Sequence, residues 1–225
     1  MLILGLDPSL TNFGYALHDT EADGPGRCLA RGRLQTPASQ LYIDRYITQR
    51  ESLRGLIQQY KPDRIGIEYP VFDNLFSEGM YGLFLYCSEA LRIERQDVVF
   101  FSPGQLKAHA RLLLDRPPGW KMLKPDMVEA AKVDTQAKKA WNHNECDAYF
   151  AAKVAGRFWK LQAGLIQESD LNLLEKKQFL EIHTFTKGKR AGNTVQKGIL
   201  YRESERFFLW SHEDPNYGTE SPIDE

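Results

Sequence analysis

The stretch that determines the architecture lies at the N-terminus, where residues 2–17 have the sequence LILGLDPSLTNFGYAL. Residues 2–6 combine four leucine or isoleucine side chains with one glycine, which predicts a buried β-strand. Asp7 and Pro8 end that strand, and the apolar residues 13–17 predict a second one after a short turn. Two strands joined in this way favour an antiparallel pair at the start of a sheet.

The following residues alternate between helix and strand patterns up to about residue 160. Apolar side chains at helical spacing continue to Tyr60, where Lys61 and Pro62 end the helix. Ser102 followed by Pro103 is a typical helix start. The expected strands are 2–6, 13–17, 27–34, 64–68 and 98–101, and the expected helices begin near residues 43, 78, 103, 125 and 143. This order predicts an α/β fold with a mixed five-stranded sheet flanked by helices.

The chain changes character in its last quarter. Residues 179–186 and 198–210 have the pattern of two β-hairpin arms around a turn-rich stretch, and an acidic tail begins at His212. We therefore expect a core domain at 1–162 and a C-terminal extension at 163–225 that contains the hairpin and the tail.

The composition is that of a soluble globular protein, with 42% hydrophobic and 26% charged residues. No apolar run approaches the roughly 20 residues that span a bilayer, and the N-terminus lacks the pattern of a secretion signal. We therefore expect a cytoplasmic protein without a membrane partner. The three cysteines are far apart and form no CxxC pair, which argues against a disulfide framework or a zinc site.

Charge is unevenly distributed along the chain, although the net charge is only −1. Residues 103–160 carry 11 Lys and Arg against 6 Asp and Glu, a sum of +5, whereas 1–102 and 161–225 each sum to −3. A basic middle section suits a local anion-binding face, and a solvated helix surface would give the same count.

Three acidic residues occupy positions where packing alone does not call for an acid. Asp7 follows an apolar strand, Glu68 ends Ile65-Gly66-Ile67, and Asp147 lies at the start of an apolar helix. Each acid also has a plain structural role open to it, as a turn residue, an arginine partner or a helix N-terminal residue. Together they form a candidate set of oxygen ligands for Mg²⁺ or Mn²⁺, and two such ions support phosphodiester hydrolysis.

Four segments within residues 1–160 resemble motifs of the RuvC family of Holliday-junction resolvases, which belongs to the ribonuclease-H-like superfamily. Residues 3–15, ILGLDPSLTNFGY, are similar to the opening of that family. Ile65–Glu68 followed by Val71-Phe72 is similar to its second motif. Phe101–Pro103 with Lys107, Lys124 and Met127 resembles its lysine-bearing segment, and residues 144–148, NECDA, resemble its last motif.

The resemblance implies that Asp7, Glu68 and Asp147 are metal-binding catalytic carboxylates. The fourth family position falls on Asn144, where the family usually has an acid or histidine. Asn144 lies three residues before Asp147 and shares its helix face, whereas Glu145 points about 200° round the axis. If the helix starts later than expected, Glu145 or His143 takes the place of Asn144.

The resemblance also implies contacts with DNA. Lys107, Arg111, Lys121 and Lys124 are the expected phosphate-binding residues, and Lys124 is also expected to stabilise charge on the scissile phosphate. Phe72, which comes one residue later than in the family's usual spacing, is a candidate for stacking on bases.

The expected function is therefore Mg²⁺-dependent cleavage of four-way DNA junctions in recombination and repair. Mn²⁺ is a substitute ion, two ions are expected in each site, and Asp7 is expected to bridge them. The resemblance implies a homodimer in a bacterial or phage-infected host cytoplasm, with the helix after Glu68 as a candidate interface.

Two other functions remain open from sequence, and a third is disfavoured. One is a nuclease for flaps, forks or structured RNA, and another is a DNA-binding protein that has kept the fold without catalysis. An actin-like phosphotransferase would need a second glycine-rich phosphate loop, which the sequence lacks, so we expect no nucleotide cofactor.

Overall fold

Strands and helices alternate in the computed structural model, which describes residues 1–69, 77–117, 119–180, 182–184, 194–196, 199–203, 206–209 and 219–220. The strands are β1 (Leu2–Asp7), β2 (Asn12–Asp19), β3 (Cys28–Gln35), β4 (Arg64–Glu68), β5 (Val98–Phe101), β6 (Ile182–Thr184), β7 (Thr194–Gln196), β8 (Leu200–Glu203), β9 (Arg206–Leu209) and β10 (Thr219–Glu220). The helices are α1 (Tyr42–Tyr60), α2 (Ser77–Ile93), α3 (Pro103–Leu113), α4 (Lys124–Thr135), α5 (His143–Gln162) and α6 (Leu173–Phe179).

Eight of the described strands form one mixed sheet in the order β10-β9-β8-β5-β4-β1-β2-β3. β1, β2 and β3 are an antiparallel meander, as the N-terminal sequence predicts. β4 pairs in parallel with the other edge of β1, and β5 pairs in parallel with β4. The mixed α/β class and its first five strands are therefore confirmed.

Helices cover both faces of the sheet. Because successive side chains of a strand point to opposite faces, Leu4 and Leu6 pack with apolar residues of α1 and α2, whereas Ile3 packs with α3, α4 and α5. All three side chains are fully buried. The uninterrupted apolar run of β1 thus follows from a strand that is covered on both sides.

The C-terminal region differs from the predicted hairpin. β6 and β7 do pair with each other, but Phe179 ends α6 instead of starting a strand. The second expected arm is itself two strands, β8 and β9, and β8 pairs with β5 through Val99 and Tyr201. The reason is that β5 is buried at every residue, so the backbone groups on its outer edge need partners within the protein.

The added strand β8 also completes the core. Tyr201 is fully buried, and its ring lies 5.5 Å from that of Phe158 and 5.8 Å from that of Trp159. Of the acidic tail that the sequence predicts from His212, only Thr219–Glu220 is among the described residues. Within the described ranges, no helix combines the length and the apolar character needed to cross a membrane.

Candidate active site

Strand pairing brings Asp7 and Glu68 side by side. β1 and β4 run parallel, and Leu6 pairs with Ile67. Each acid comes directly after the paired residue and is the last residue of its strand. The two carboxylates therefore lie at the same edge of the sheet, on neighbouring strands.

Two glycines allow α5 to lie directly on these strands. A β-carbon at Gly5 would stand 1.9 Å from the carbonyl oxygen of Ala148, and one at Gly66 would stand 2.4 Å from that of Ala151. Both distances are far below van der Waals contact, so a larger residue at either glycine would push the helix away. Since Asp147 directly precedes Ala148, this packing also fixes the third acid close to the ends of β1 and β4.

The first turn of α5 has a third close contact, with β2. A β-carbon at Gly14 would stand 2.2 Å from the carbonyl oxygen of Asn144. Asn142 caps the helix by accepting a 3.0 Å hydrogen bond from the backbone N–H of Asn144. The buried Asn144 side chain hydrogen-bonds with the Asp7 carboxyl group, so the position three residues before Asp147 does face the acids.

Glu145 is directed elsewhere. Arg31 of β3 donates a 2.7 Å hydrogen bond to the Glu145 carboxylate and a 3.0 Å hydrogen bond to the carbonyl oxygen of Ala140. The Arg31 guanidinium also lies 3.9 Å from the ring centroid of Trp141. In addition, the Glu145 carboxylate accepts a 3.2 Å hydrogen bond from the Asn142 backbone N–H. Glu145 therefore anchors the start of α5 to the sheet.

The three acids affect one another electrostatically. Burial raises the pKa of Asp7 well above its usual range, and the negative charges of Glu68 and Asp147 raise it further. The hydrogen bond from Asn144 and the positive charge of Lys124 lower the Asp7 pKa, but do not offset the rise. Asp7 thus interacts with both of the other carboxylates.

The other two acids are also shifted toward their neutral forms. Burial raises the pKa of Glu68 to about 8, repulsion by Asp147 adds to the rise, and Lys107 opposes it. Burial likewise raises the pKa of Asp147 to about 6, against the charges of Lys107 and Lys124. Clustered carboxylates with raised pKa values are typical of functional sites, because a bound cation relieves their repulsion.

Two lysines border the acidic cluster. Lys107 is exposed on α3, and Lys124 is the exposed first residue of α4. The Lys124 Nζ lies 3.2 Å from the Nε2 of His143, which begins α5. Because an ammonium group can only donate, the Nε2 of His143 accepts this hydrogen bond. Burial lowers the pKa of His143, and the charge of Lys124 lowers it further.

The remaining candidates for DNA contact are Arg111, Lys121 and Phe72. Arg111 is partly buried one helical turn after Lys107, on the same side of α3. Lys121 is exposed in the loop that precedes α4. Phe72 lies outside the described residues.

The donor set suits a hard divalent cation, although the side chains must draw together to bind one. Asp7, Glu68 and Asp147 offer carboxylate oxygens and Asn144 an amide oxygen, which are preferred ligands of Mg²⁺ and Mn²⁺. As they stand, no three His, Cys, Asp or Glu side chains in the described part of the chain are close enough to hold one ion. The excess of negative charge in the cluster favours their convergence on a cation.

Comparison with solved structures identifies the fold. RuvC of Thermus thermophilus aligns with a TM-score of 0.58 and 17% identity, over 73% of this chain and 97% of that protein. The same protein in complex with a Holliday junction substrate aligns with a TM-score of 0.57 and 16% identity, over 68% of this chain and 90% of that one.

Curated sequences point the same way. Crossover junction endodeoxyribonuclease RuvC of Gloeobacter violaceus is 30% identical over 111 residues, 48% of this chain and 62% of the relative. RuvC of Syntrophomonas wolfei is 36% identical over 69 residues, 30% of this chain and 39% of the relative. The chain is therefore similar to RuvC proteins in part of its sequence, and it shares their fold. It spans less than two thirds of the length of the curated relatives it matches, and no protein-family model matches it.

Two features of the candidate site are not identified by the motifs. Arg31 lies in an ordinary strand, and its role appears only once Glu145 is seen to pair with it. The glycines of β1 and β4 have a signal in the sequence, because each lies two residues before its acid, at positions 5 and 66. In a strand that spacing puts the missing side chain and the acid on the same face.

Proposed function

We propose that this chain is a metal-dependent, structure-specific endodeoxyribonuclease that hydrolyses phosphodiester bonds at four-way junctions or related branched DNA. The observation that carries the proposal is the placement of three acids at one edge of the sheet: Asp7 and Glu68 end the neighbouring strands β1 and β4, and α5, which bears Asp147 near its start, packs directly on both strands. Its RuvC-like sequence and fold support the same chemistry.

The ligands of the proposed metal site are Asp7, Glu68, Asp147 and the amide oxygen of Asn144. When bound, two Mg²⁺ ions, or Mn²⁺ in their place, would supply an activated water and stabilise the leaving oxygen. Asp7 would help to hold both ions, because its carboxyl group interacts with both of the other carboxylates. Because Asn144 is uncharged, the site has one negative charge fewer than it would have with a fourth acid at this position.

The lysines have separate roles in this proposal. Lys124 stabilises negative charge on the scissile phosphate, since its ammonium acts on both Asp7 and Asp147. Its hydrogen bond with His143 holds the ammonium at the rim of the cluster. Lys107, Arg111 and Lys121 bind neighbouring phosphates, which gives salt-sensitive affinity. A base contact by Phe72 remains a prediction from sequence.

A homodimer would place two such sites on a junction, which has two symmetric cuts. The helix after Glu68 offers an apolar surface for this contact. Tyr81 and Leu85 of α2 are at least half exposed, and Tyr42, Ile43 and Ile47 of α1 are also exposed. We further propose a nuclease unit at 1–162, an extension at 163–225 that adds strands to its sheet, and action in the cytoplasm of a bacterium or a phage-infected host.

A substrate panel tests the proposal. The full chain is incubated with a labelled four-way junction, a flap and an RNA hairpin, with and without Mg²⁺. We expect the junction to be cut fastest and only with Mg²⁺, and Asp147→Asn to reduce the rate by about 1,000-fold or more. Asp44→Asn, at an exposed position on α1, is the matched control and should cut at the wild-type rate. Faster cleavage of the flap or RNA would instead favour the other nuclease functions, and junction binding without cleavage would favour a DNA-binding protein.

A further inference from the structure

The loop between α3 and α4 exposes a tryptophan that the proposed function does not yet use. Trp120 is 46% exposed, whereas Trp141 and Trp159 are 7% and 1% exposed. Large aromatic side chains are mostly buried in monomeric proteins, and an exposed one beside other apolar groups marks an interaction site. Leu112 and Leu123, on either side of this loop, are each more than half exposed.

The indole is held in place by its loop. The Trp120 backbone N–H donates a 3.1 Å hydrogen bond to the carbonyl oxygen of Pro117, and the buried Met122 anchors the chain two residues later. The guanidinium of Arg116 lies 5.2 Å from the centroid of the indole ring, and it also forms a 3.7 Å ion pair with Glu129. An aromatic ring that is fixed in advance loses little conformational entropy when it binds a ligand.

The chain segment around Trp120 is basic, although Glu129 of α4 offsets the charge of Arg116. Between Lys107 and Lys124 the chain carries five Lys or Arg residues and one acid, Asp115, a sum of +4. Lys121, next to the indole, is exposed. A flat apolar ring in a basic segment is complementary to nucleic acid, in which π-faces alternate with phosphates.

The loop also leads directly into the candidate active site. Trp120 precedes Lys124 by four residues, so their α-carbons are at most about 14 Å apart. That span is about four nucleotide steps at the duplex rise of about 3.4 Å per step. Since the Lys124 charge acts on Asp7 and Asp147, a base near Trp120 would belong to the strand segment around the scissile phosphate.

We propose that Trp120 is a stacking platform for an unpaired base of branched DNA, within a few nucleotides of the scissile phosphate. This inference rests on the proposed function and makes Trp120 a determinant of substrate structure. Bases inside a duplex are already stacked on one another, so only a base freed at a branch or in a single strand gains from the indole.

The test measures binding without cleavage, in buffer without divalent metal. Dissociation constants of wild type, Trp120→Ala and Trp120→Phe are compared for a four-way junction, a single-stranded oligonucleotide and a fully paired duplex of the same sequence. We expect Trp120→Ala to weaken junction and single-strand binding by about 5- to 150-fold and duplex binding by less than about twofold. Trp120→Phe should retain most of the affinity.

Salt dependence separates stacking from charge. Trp120→Ala should leave the slope of log affinity against log salt unchanged, whereas Lys121→Gln should reduce its magnitude by about one phosphate contact. Leu173→Ala, at an exposed position on α6, is the control for a loss of exposed apolar surface away from the loop, and it should bind the junction as wild type does. Melting temperatures should be unchanged in all variants, since the replaced side chains are exposed.

The outcomes are distinguishable. Wild-type affinity of Trp120→Ala for the junction overturns the stacking inference and leaves the proposed nuclease intact. An equal loss on all three DNAs also overturns it, as does a change in oligomeric state without a change in DNA affinity. If the wild type does not bind the junction more tightly than the duplex, the proposed function itself fails.

Discussion

Arg31 of β3 donates a 2.7 Å hydrogen bond to the Glu145 carboxylate, in the first turn of α5. Both side chains are largely buried, with 17% and 15% exposed. The same guanidinium contacts the loop before the helix. Because Asn144 and Asp147 belong to the turn that this pair anchors, Arg31 is a positioning residue for the acidic cluster although it is not part of it.

Removal of Arg31 should therefore reduce the rate of catalysis more than DNA binding. We expect Arg31→Ala to lower the free energy of unfolding by about 2 kcal/mol, because it leaves Glu145 without its partner. The kcat for junction cleavage should fall by about tenfold with little change in KM, because Asp147 is displaced while the phosphate contacts remain. Steady-state kinetics and thermal denaturation measure the two effects.

Two further variants distinguish positioning from direct DNA contact. Arg31→Ala combined with Glu145→Ala should be destabilised by less than the sum of the single changes, because the pair is already broken in each. Arg31→Lys should recover part of kcat. A rise in KM with unchanged kcat would instead mean that Arg31 contacts the DNA.

Close packing at Gly14 should be essential for the site. A methyl group there would stand 2.2 Å from the Asn144 carbonyl oxygen, so Gly14→Ala must push the first turn of α5 away from β2. We expect a loss of about 3 kcal/mol in stability and of most cleavage activity.

Gly55→Ala is the matched control, since nothing lies within 4 Å of its β-carbon position on α1. That change should stabilise the protein by about 0.5–1 kcal/mol. Equal melting temperatures for Gly14→Ala and wild type would contradict the packing argument.

The raised pKa of Glu68 should make the metal-free protein less stable as pH rises. Burial moves this pKa from an ordinary value near 4.5 to about 8 in the folded protein, so the folded state holds more protons than the unfolded state between those values. Stability should therefore fall as pH rises through this window. At pH 8 and above, metal-free Glu68→Gln should be more stable than wild type by about 2 kcal/mol.

Magnesium should reverse that order, because only the wild type gains fully from binding the ion. Urea denaturation between pH 5 and 9, with EDTA or with Mg²⁺, measures both effects. Asp44→Asn, at an exposed position on α1, is the control and should not change the pH dependence. An unchanged slope in Glu68→Gln would show that Glu68 is not in a repulsive cluster.

Asn144 should limit the affinity for metal. Asn144→Asp replaces the hydrogen-bond donor beside Asp7 with a fourth negative charge. We expect the metal-free variant to be less stable by about 1–3 kcal/mol at pH 7.5 and to bind Mn²⁺ about fivefold more tightly or better. Asn144→Ala removes the hydrogen bond without adding charge, so it should lose stability without gaining affinity. Calorimetric titration with Mn²⁺ checks this, and weaker binding by Asn144→Asp would exclude position 144 from the metal site.

The fold could be predicted from sequence where local patterns suffice. The buried run before Asp7 and the acid after Ile65–Ile67 place the strands of the site, and the N-cap at Ser102 marks the start of α3, where the structure shows its hydrogen bond with Gln105. These signals depend only on residues that are neighbours in sequence, so they can be recognised without knowledge of the fold.

Several features could not be predicted from sequence, and most of them depend on contacts between residues that are far apart in the chain. β8 pairs with β5, whose residues Val98–Phe101 are all buried and whose outer edge needs a partner strand. No pattern within residues 200–203 predicts this pairing. α6 has only seven residues, too short for a clear helical period. The partner of Glu145, Arg31, lies 114 residues earlier in the chain.

The central claim is that Asp7, Glu68 and Asp147 jointly hold divalent cations against a DNA backbone. The most direct test is a Mg²⁺ titration of four-way-junction cleavage by wild type and Asp7→Asn, with junction affinity measured in parallel without metal. We expect the wild type to be saturated by Mg²⁺ and Asp7→Asn to remain inactive at every concentration while binding the junction at least as tightly. Cleavage by Asp7→Asn at a rate near that of wild type, or wild-type cleavage in EDTA, would contradict the claim.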